Sequence, residues 1–269
     1  MADLISSPAN PLVKRFRLLS GQSRKYRREQ NAFVVEGIQP VWRAVTAGWQ
    51  IEALIADESL REDSPAAAMF AQQEAAGVRS ARLAHDLFLR LVSREGSPGL
   101  AAIVQARPAS ANDLMVTGDS VFVALHQIAN PGNLGTIIRT VDAAGGAGVI
   151  LIGDCADAYS PAAVKASMGS LFAVQVATAR TADAFFEWAD ASQVTTLATS
   201  GQAAREHWDT TYRPPLAVLL GSEGSGLPAE VLARASQSVR IPMTGTAESL
   251  NVAAAAAIVL YEIRRHAIS

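Results

Sequence analysis

Three polar stretches carry residue types that can do chemistry. The first, HQIANPGNLGTIIRT, runs from His126 to Thr140 and holds Asn133 and Arg139. The second, LLGSEGSGLP, runs from Leu219 to Pro228, with three glycines in six residues around Glu223. The third begins IPMTGTAESLNV at Ile241 and crowds Thr244, Thr246, Glu248, Ser249 and Asn251 in front of five alanines. Arginine and carboxylate clamp charged groups or each other. Glycine lets the backbone approach a ligand closely or take positive φ. Hydroxyls and amides orient what is bound. The second stretch lacks the Lys-Ser/Thr ending of a Walker loop and the G-x-G-x-x-G spacing of a dinucleotide fingerprint.

Each stretch also has a plain structural reading. Arg139, among Ile137, Ile138 and Val141, can be ion-paired or snorkel to the surface. Asn133 can cap the helix it opens. The glycines around Glu223 can form a tight turn. Ser249 can cap the last helix, worth ~1 kcal/mol, with Glu248 near its positive end. The alanines favour helix and leave room for a close neighbour.

The elements that must position these residues alternate along the chain. In the first half, FVVEG (33–37), IEALIAD (51–57), VRSARLA (78–84) and LAAIVQA (100–106) read as strands. Helices are expected over Ile38–Ala47, Pro65–Ala76 and His85–Arg94. The second half has purer strands at VFVALH (121–126), GVILIG (148–153), VQVAT, VTTLAT, LAVLLG (216–221) and SVRIPM. Helices are expected over about Leu134–Ala144, PAAVKASMGS, Ala182–Ala191, Ala229–Ala235 and Leu250–His266. The alternation predicts α/β architecture in both halves. The polar stretch from Arg107 to Ser120 places a boundary between them. The expected organisation is residues 1–107, a linker at 108–119, and 120–269.

Composition bounds the rest. The 269 residues are 49% hydrophobic and 18% charged, as in soluble globular chains. No apolar run reaches a membrane span, and the N-terminus has no signal-peptide stretch. One cysteine excludes an internal disulfide, and four scattered histidines give no metal cluster. A cytoplasmic protein with no metal is expected. Net charge is −2, yet Lys14, Arg15, Arg17, Arg24, Lys25, Arg27 and Arg28 face only Glu29 between residues 10 and 30. Phe16 and Tyr26 are interleaved. This is either a solvated helix face or a phosphate-binding patch, since neutralising phosphates releases counterions.

Together and in this order, N-P-G-N-L-G-x-I-x-R-T (130–140), L-G-S-E-G-x-G-L (220–227) and I-P-M-x-x-x-x-E-S-L-N-V (241–252) resemble the SpoU (TrmH) family of RNA ribose 2′-O-methyltransferases, within the SPOUT superfamily. The basic lead-in and FVVEG strand resemble, more loosely, the family's substrate-binding domain, which is similar to the ribosomal protein L30e fold. The resemblance implies a parallel sheet with a deep trefoil knot, a homodimer, and methyl transfer from S-adenosylmethionine to a ribose 2′-hydroxyl. Ordinary chain rules would not find such a knot. It implies Arg139, Asn133, Glu223, Ser249 and Asn251 as catalytic residues. Ala198, Thr199, Leu220, Gly221, Ile241, Met243 and Leu250 would line the cofactor pocket. The seven basic residues from Lys14 to Arg28 would grip RNA. A separate N-terminal domain favours large-subunit (23S) ribosomal RNA over transfer RNA. Two alternatives are a non-catalytic RNA-binding assembly factor and a Rossmann-type small-molecule methyltransferase. The intact polar residues weigh against the first, and the missing early glycine loop against the second.

Overall fold

The computed structural model describes residues 4–21, 23–92 and 99–268. The chain divides into two compact units, Met1–Arg107 with Tyr159–Phe172, and Pro108–Ala158 with Ala173–Ser269.

The first unit contains β1 (Leu4–Ile5), α1 (Pro11–Ser20), α2 (Arg24–Gln30), β2 (Ala32–Glu36), α3 (Ile38–Thr46), β3 (Ile51–Asp57), α4 (Pro65–Ala75), β4 (Arg79–Leu83), α5 (His85–Leu91) and β5 (Leu100–Gln105). The strands form a mixed sheet in the order β1-β4-β3-β5-β2, with β5 antiparallel to both neighbours. Pro11 starts α1 with its φ already helical, and the Asn10 side chain accepts the Leu12 N–H. Leu12, Val13, Phe16 and Leu19 then fall on one face, where they join Leu87, Phe88 and Leu91 of α5 over the sheet. The expected end of α5 at Arg94 lies outside the described residues.

The second unit contains β6 (Ala109–Ser110), β7 (Val121–His126), α6 (Pro131–Ala143) and β8 (Gly148–Ile152). After α7 (Pro161–Ala166), which belongs to the first unit, come β9 (Gln175–Ala179), α8 (Ala182–Ala191), β10 (Thr195–Thr199), β11 (Arg205–Glu206), β12 (Leu216–Leu220), α9 (Ala229–Arg234), β13 (Gln237–Arg240) and α10 (Val252–Ile268). Eight parallel strands run in the order β11-β13-β10-β12-β7-β8-β9-β6. Central strands read as unbroken apolar runs because both faces are covered. Phe122, Ala124 and Ile150 pack against Phe185 and Trp188 of α8 and Val231 of α9. Helix α10 lies against α6.

Two features differ from the expected organisation. The 108–119 stretch is more than a linker: β6 pairs with β9, and Ala111 and Leu114 enter the second core. Its short alternation was hidden by polar neighbours. Tyr159–Phe172, expected with the C-terminal half, groups with the first unit. There Phe33 meets the rings of Tyr159, Phe172 and Trp49 at 4.8, 6.3 and 6.0 Å. Trp49 Nε1 donates to the Phe172 carbonyl at 3.2 Å, and Arg107 lies over the Trp49 ring. No helix among the described residues is long and apolar enough to cross a membrane.

Candidate active site

The three polar stretches meet in the second unit. The turns after β10 and β12 and the loop after β13 all leave the carboxyl ends of neighbouring parallel strands. In open α/β sheets ligands bind at that edge. They enclose a cleft of about 660 Å³. Thr199, Leu220, Gly221, Ile241, Met243 and Leu250, six of the seven expected cofactor residues, line it. Ala198 does not: it is fully buried in the sheet core, because its side chain points into the layer beneath. Met243 and Leu250 remain 39% and 38% exposed, so the cleft has apolar wall without an apolar partner.

Gly221 is fixed by sterics. A Cβ there would lie 2.0 Å from the Gly226 carbonyl carbon and 2.3 Å from the Leu227 nitrogen. The following turn folds back on itself through Ser222 N–H to Gly226 carbonyl and Gly226 N–H to Ser222 carbonyl, at 3.2 and 3.0 Å. Gly226 takes φ +67°, which suits glycine. The turn thus brings Glu223 back toward α6.

One hydrogen-bond chain joins all three stretches. Asn251 Nδ2 donates to Asn133 Oδ1 at 3.1 Å, and Asn133 Nδ2 donates to Glu223 Oε1 at 2.9 Å. Burial pushes the Glu223 carboxyl up. The Asn133 amide and the backbone N–H groups of Glu223, Ala129 and Asn130 outweigh it and hold the group below the usual carboxylate range. Glu223 is therefore an ionised acceptor held by Asn133.

Neither cap is the residue of the plain reading: one lies three positions before it and the other two positions after it. Asn130, not Asn133, caps α6: its Oδ1 accepts from Gly132 and Asn133 N–H at 2.8 and 3.2 Å. Pro131 then occupies the first helical position, so α6 begins three residues before Leu134. Asn-Pro before an apolar pattern is the signal that locates this cap. At α10 the cap is Asn251, whose Oδ1 accepts the Ala253 N–H at 2.9 Å, not Ser249. Asn133 is thereby released to bridge, and Ser249 to line the cleft.

Arg139 lies on the exposed side of α6 and does not line the cleft. Among the described residues it has neither hydrogen-bond nor ion-pair partner. The ion-paired reading therefore does not hold. The pocket also includes Ser200, Gly201, Gln202 and Glu248, which the motifs did not single out for a site role. Among the described residues no group of three or more His, Cys, Asp and Glu could hold a metal ion.

The basic patch in the first unit is smaller than its sequence. Lys14, Arg17, Lys25 and Arg28 are exposed and Arg24 is half-buried. Arg15 pairs with Glu52 at 2.8 Å and Gln30 at 2.9 Å. Arg27 is a correction: it is 4% exposed, and its guanidinium donates to the Leu19 and Gly21 carbonyls. It ties α2 to the end of α1 and is withdrawn from any RNA surface.

Residues 120–261 match the SpoU rRNA Methylase family and residues 10–102 the MRM3-like substrate binding domain. The chain is 31% identical over 268 residues to a 23S rRNA (uridine(2479)-2'-O)-methyltransferase of Streptomyces viridochromogenes, covering 97% of this chain and 91% of that one. It is 28% identical over 260 residues to a 23S rRNA (guanosine(2553)-2'-O)-methyltransferase of Bacillus subtilis, covering 97% and 98%. A crystal structure of an AdoMet-bound rRNA methyltransferase from Sinorhizobium meliloti superposes with a TM-score of 0.88 at 34% identity, covering 100% of this chain and 99% of that one.

Proposed function

Because the chain belongs to the SpoU rRNA methylase family, we infer that it transfers a methyl group from S-adenosylmethionine to a ribose 2′-hydroxyl of ribosomal RNA. The observation that carries this reading is the Asn251–Asn133–Glu223 chain beside the cleft, which draws the three family stretches into one site. The two named relatives act on a uridine and a guanosine, so what they share is the ribose 2′-oxygen rather than a base.

The cleft suits the cofactor. Ile241, Met243 and Leu250 offer apolar surface for adenosine. Among the described residues, Met243–Leu250 makes no backbone–backbone hydrogen bond, which leaves N–H and C=O groups to read an adenine edge. When bound, S-adenosylmethionine supplies a methyl group made electrophilic by its sulfonium. The chain's own residues then orient the acceptor. A guanidinium stays protonated in proteins, so Arg139 serves as a clamp on the neighbouring phosphate and the attacking oxygen, not as a base. Asn133, Glu223 and Asn251 hold the ribose site in register, and Ser249 adds a hydroxyl to it.

The first unit and its exposed Lys14, Arg17, Lys25 and Arg28 supply grip on folded RNA through phosphate contacts. Arg15 and Arg24 stand at the margin of that surface. We assign the active form as a cytoplasmic homodimer: α10 exposes Ile258 and Tyr261 on one face, an apolar surface suited to a second copy. A knotted C-terminal path is part of the same proposal. The test is Arg139→Ala. Methylation of ribosomal RNA should fall at least ~100-fold, the scale of a lost transition-state contact, while calorimetry shows unchanged cofactor affinity. Full methylation by that variant would overturn the assignment. A 2′-O-methyl site mapped to transfer RNA alone would overturn the choice of substrate.

A further inference from the structure

Among the described residues two carboxylates line the cleft, Glu223 and Glu248, and no lysine, arginine or histidine does. Glu223 is engaged by Asn133, whose Nδ2 donates to its Oε1 at 2.9 Å. Glu248 is exposed and has no hydrogen-bond or ion-pair partner among the described residues. Nor does it serve the helix behind it, whose cap is the Asn251 side chain. The cleft therefore presents one unengaged negative charge to whatever enters, with no cation of its own to balance it.

Resting on the cofactor reading above, we propose that Glu248 is the anchor for the α-ammonium of S-adenosylmethionine. The cofactor carries two cationic centres, and the chemistry distinguishes them. The sulfonium loses its charge as the methyl leaves. A carboxylate held against it would stabilise the starting state more than the transition state and slow the reaction. The α-ammonium keeps its charge throughout, so a carboxylate there binds both states equally and carries no such penalty. It also has three donors to direct at an oxygen. Glu248 thus secures the amino-acid end of the cofactor while Ile241, Met243 and Leu250 hold the adenosine end.

The test compares three ligands by calorimetry on the full chain and on Glu248→Gln. S-adenosylmethionine and S-adenosylhomocysteine both carry the α-ammonium, and only the first carries the sulfonium. 5′-Methylthioadenosine has neither. Glu248→Gln should weaken the first two alike, by about tenfold, the scale of one charge-assisted contact, and leave methylthioadenosine unchanged. The substitution is isosteric at an exposed position, so the melting temperature should not move. Loss confined to S-adenosylmethionine would place the carboxylate at the sulfonium and overturn the proposal. So would equal loss for all three ligands, or no loss. Leu250→Arg separates this from failure of the cleft assignment: it should abolish binding of all three ligands, and if it does not, the cofactor lies elsewhere.

Discussion

The bridge made by Asn133 can be inverted without changing its shape. Asn133→Asp keeps the oxygen that accepts from Asn251 but replaces the donor facing Glu223 Oε1, 2.9 Å away, with a second carboxylate. A charge-assisted hydrogen bond contributes about 1.5–3 kcal/mol, and the exposure of Glu223 places this one at the lower end. Loss of the bond plus like-charge repulsion costs about 2 kcal/mol, or about 4–8 °C in melting temperature for a chain of this size. The effect must depend on pH. In the native protein the Glu223 pKa is lowered, so its contribution is present above the ordinary value of 4.5 and is lost only as pH falls through the lower folded value. Between pH 6 and 8 this contribution is constant. In the variant the facing carboxylates share a proton, and the pair's upper pKa is raised. Below that value the shared proton restores a hydrogen bond; as pH rises through it the stabilisation is lost. The variant should therefore melt closer to the native protein at pH 6 than at pH 8. Tritiated-methyl transfer to ribosomal RNA should fall about 100-fold at pH 8, as expected for a misplaced site, with partial recovery at pH 6. A variant as active as the native protein, or a deficit independent of pH, would refute the reasoning.

Three further outcomes follow from the structure. Replacing Lys14, Arg17, Lys25 and Arg28 together with alanine should lower RNA affinity and reduce the slope of log affinity against log salt by about 3, at roughly 0.7–0.9 per phosphate contact, read by filter binding over a salt series. Arg27→Ala should leave that slope unchanged and lower the melting temperature, because it strands the Leu19 and Gly21 carbonyls. Gly221→Ala should cost at least about 1–3 kcal/mol, the usual scale of overpacking, because its methyl would meet backbone rather than a movable side chain; denaturant titration reads the loss.

Much of this was legible in the chain. The strands IEALIAD and VFVALH begin and end where the structure places them, because a short apolar run (Ala53 to Ala56 in the first, Val121 to Leu125 in the second) bounded by polar residues leaves little choice. The three stretches located the cleft because glycine, amide and hydroxyl residues cluster where backbone must meet a ligand. The finer assignments were not legible. Asn130 and Asn133 are the same residue type three positions apart, and only the Pro131 start decides which one caps. Ser249 and Asn251 present the same ambiguity before α10. Arg27 reads like its basic neighbours, and only the fold of α2 onto α1 withdraws it. Ala198 sits in a strand whose next residue, Thr199, lines the cleft, and alternation alone separates the two.

The segment Tyr159–Phe172 has a consequence for how the chain is made. It supplies rings against Phe33 and Trp49 in the first unit, yet it is encoded after β7, α6 and β8 of the second. During synthesis residues 1–107 of the first unit emerge before this part of its core has been made. Phe33 and Trp49 must wait, partly uncovered, while strands of another sheet are already being made. Such interleaving lengthens the contacts that folding has to close and slows it. An N-terminal fragment cut at Arg107 would carry the same exposed aromatic surface permanently, so the two halves are separate as compact bodies but not as heritable modules.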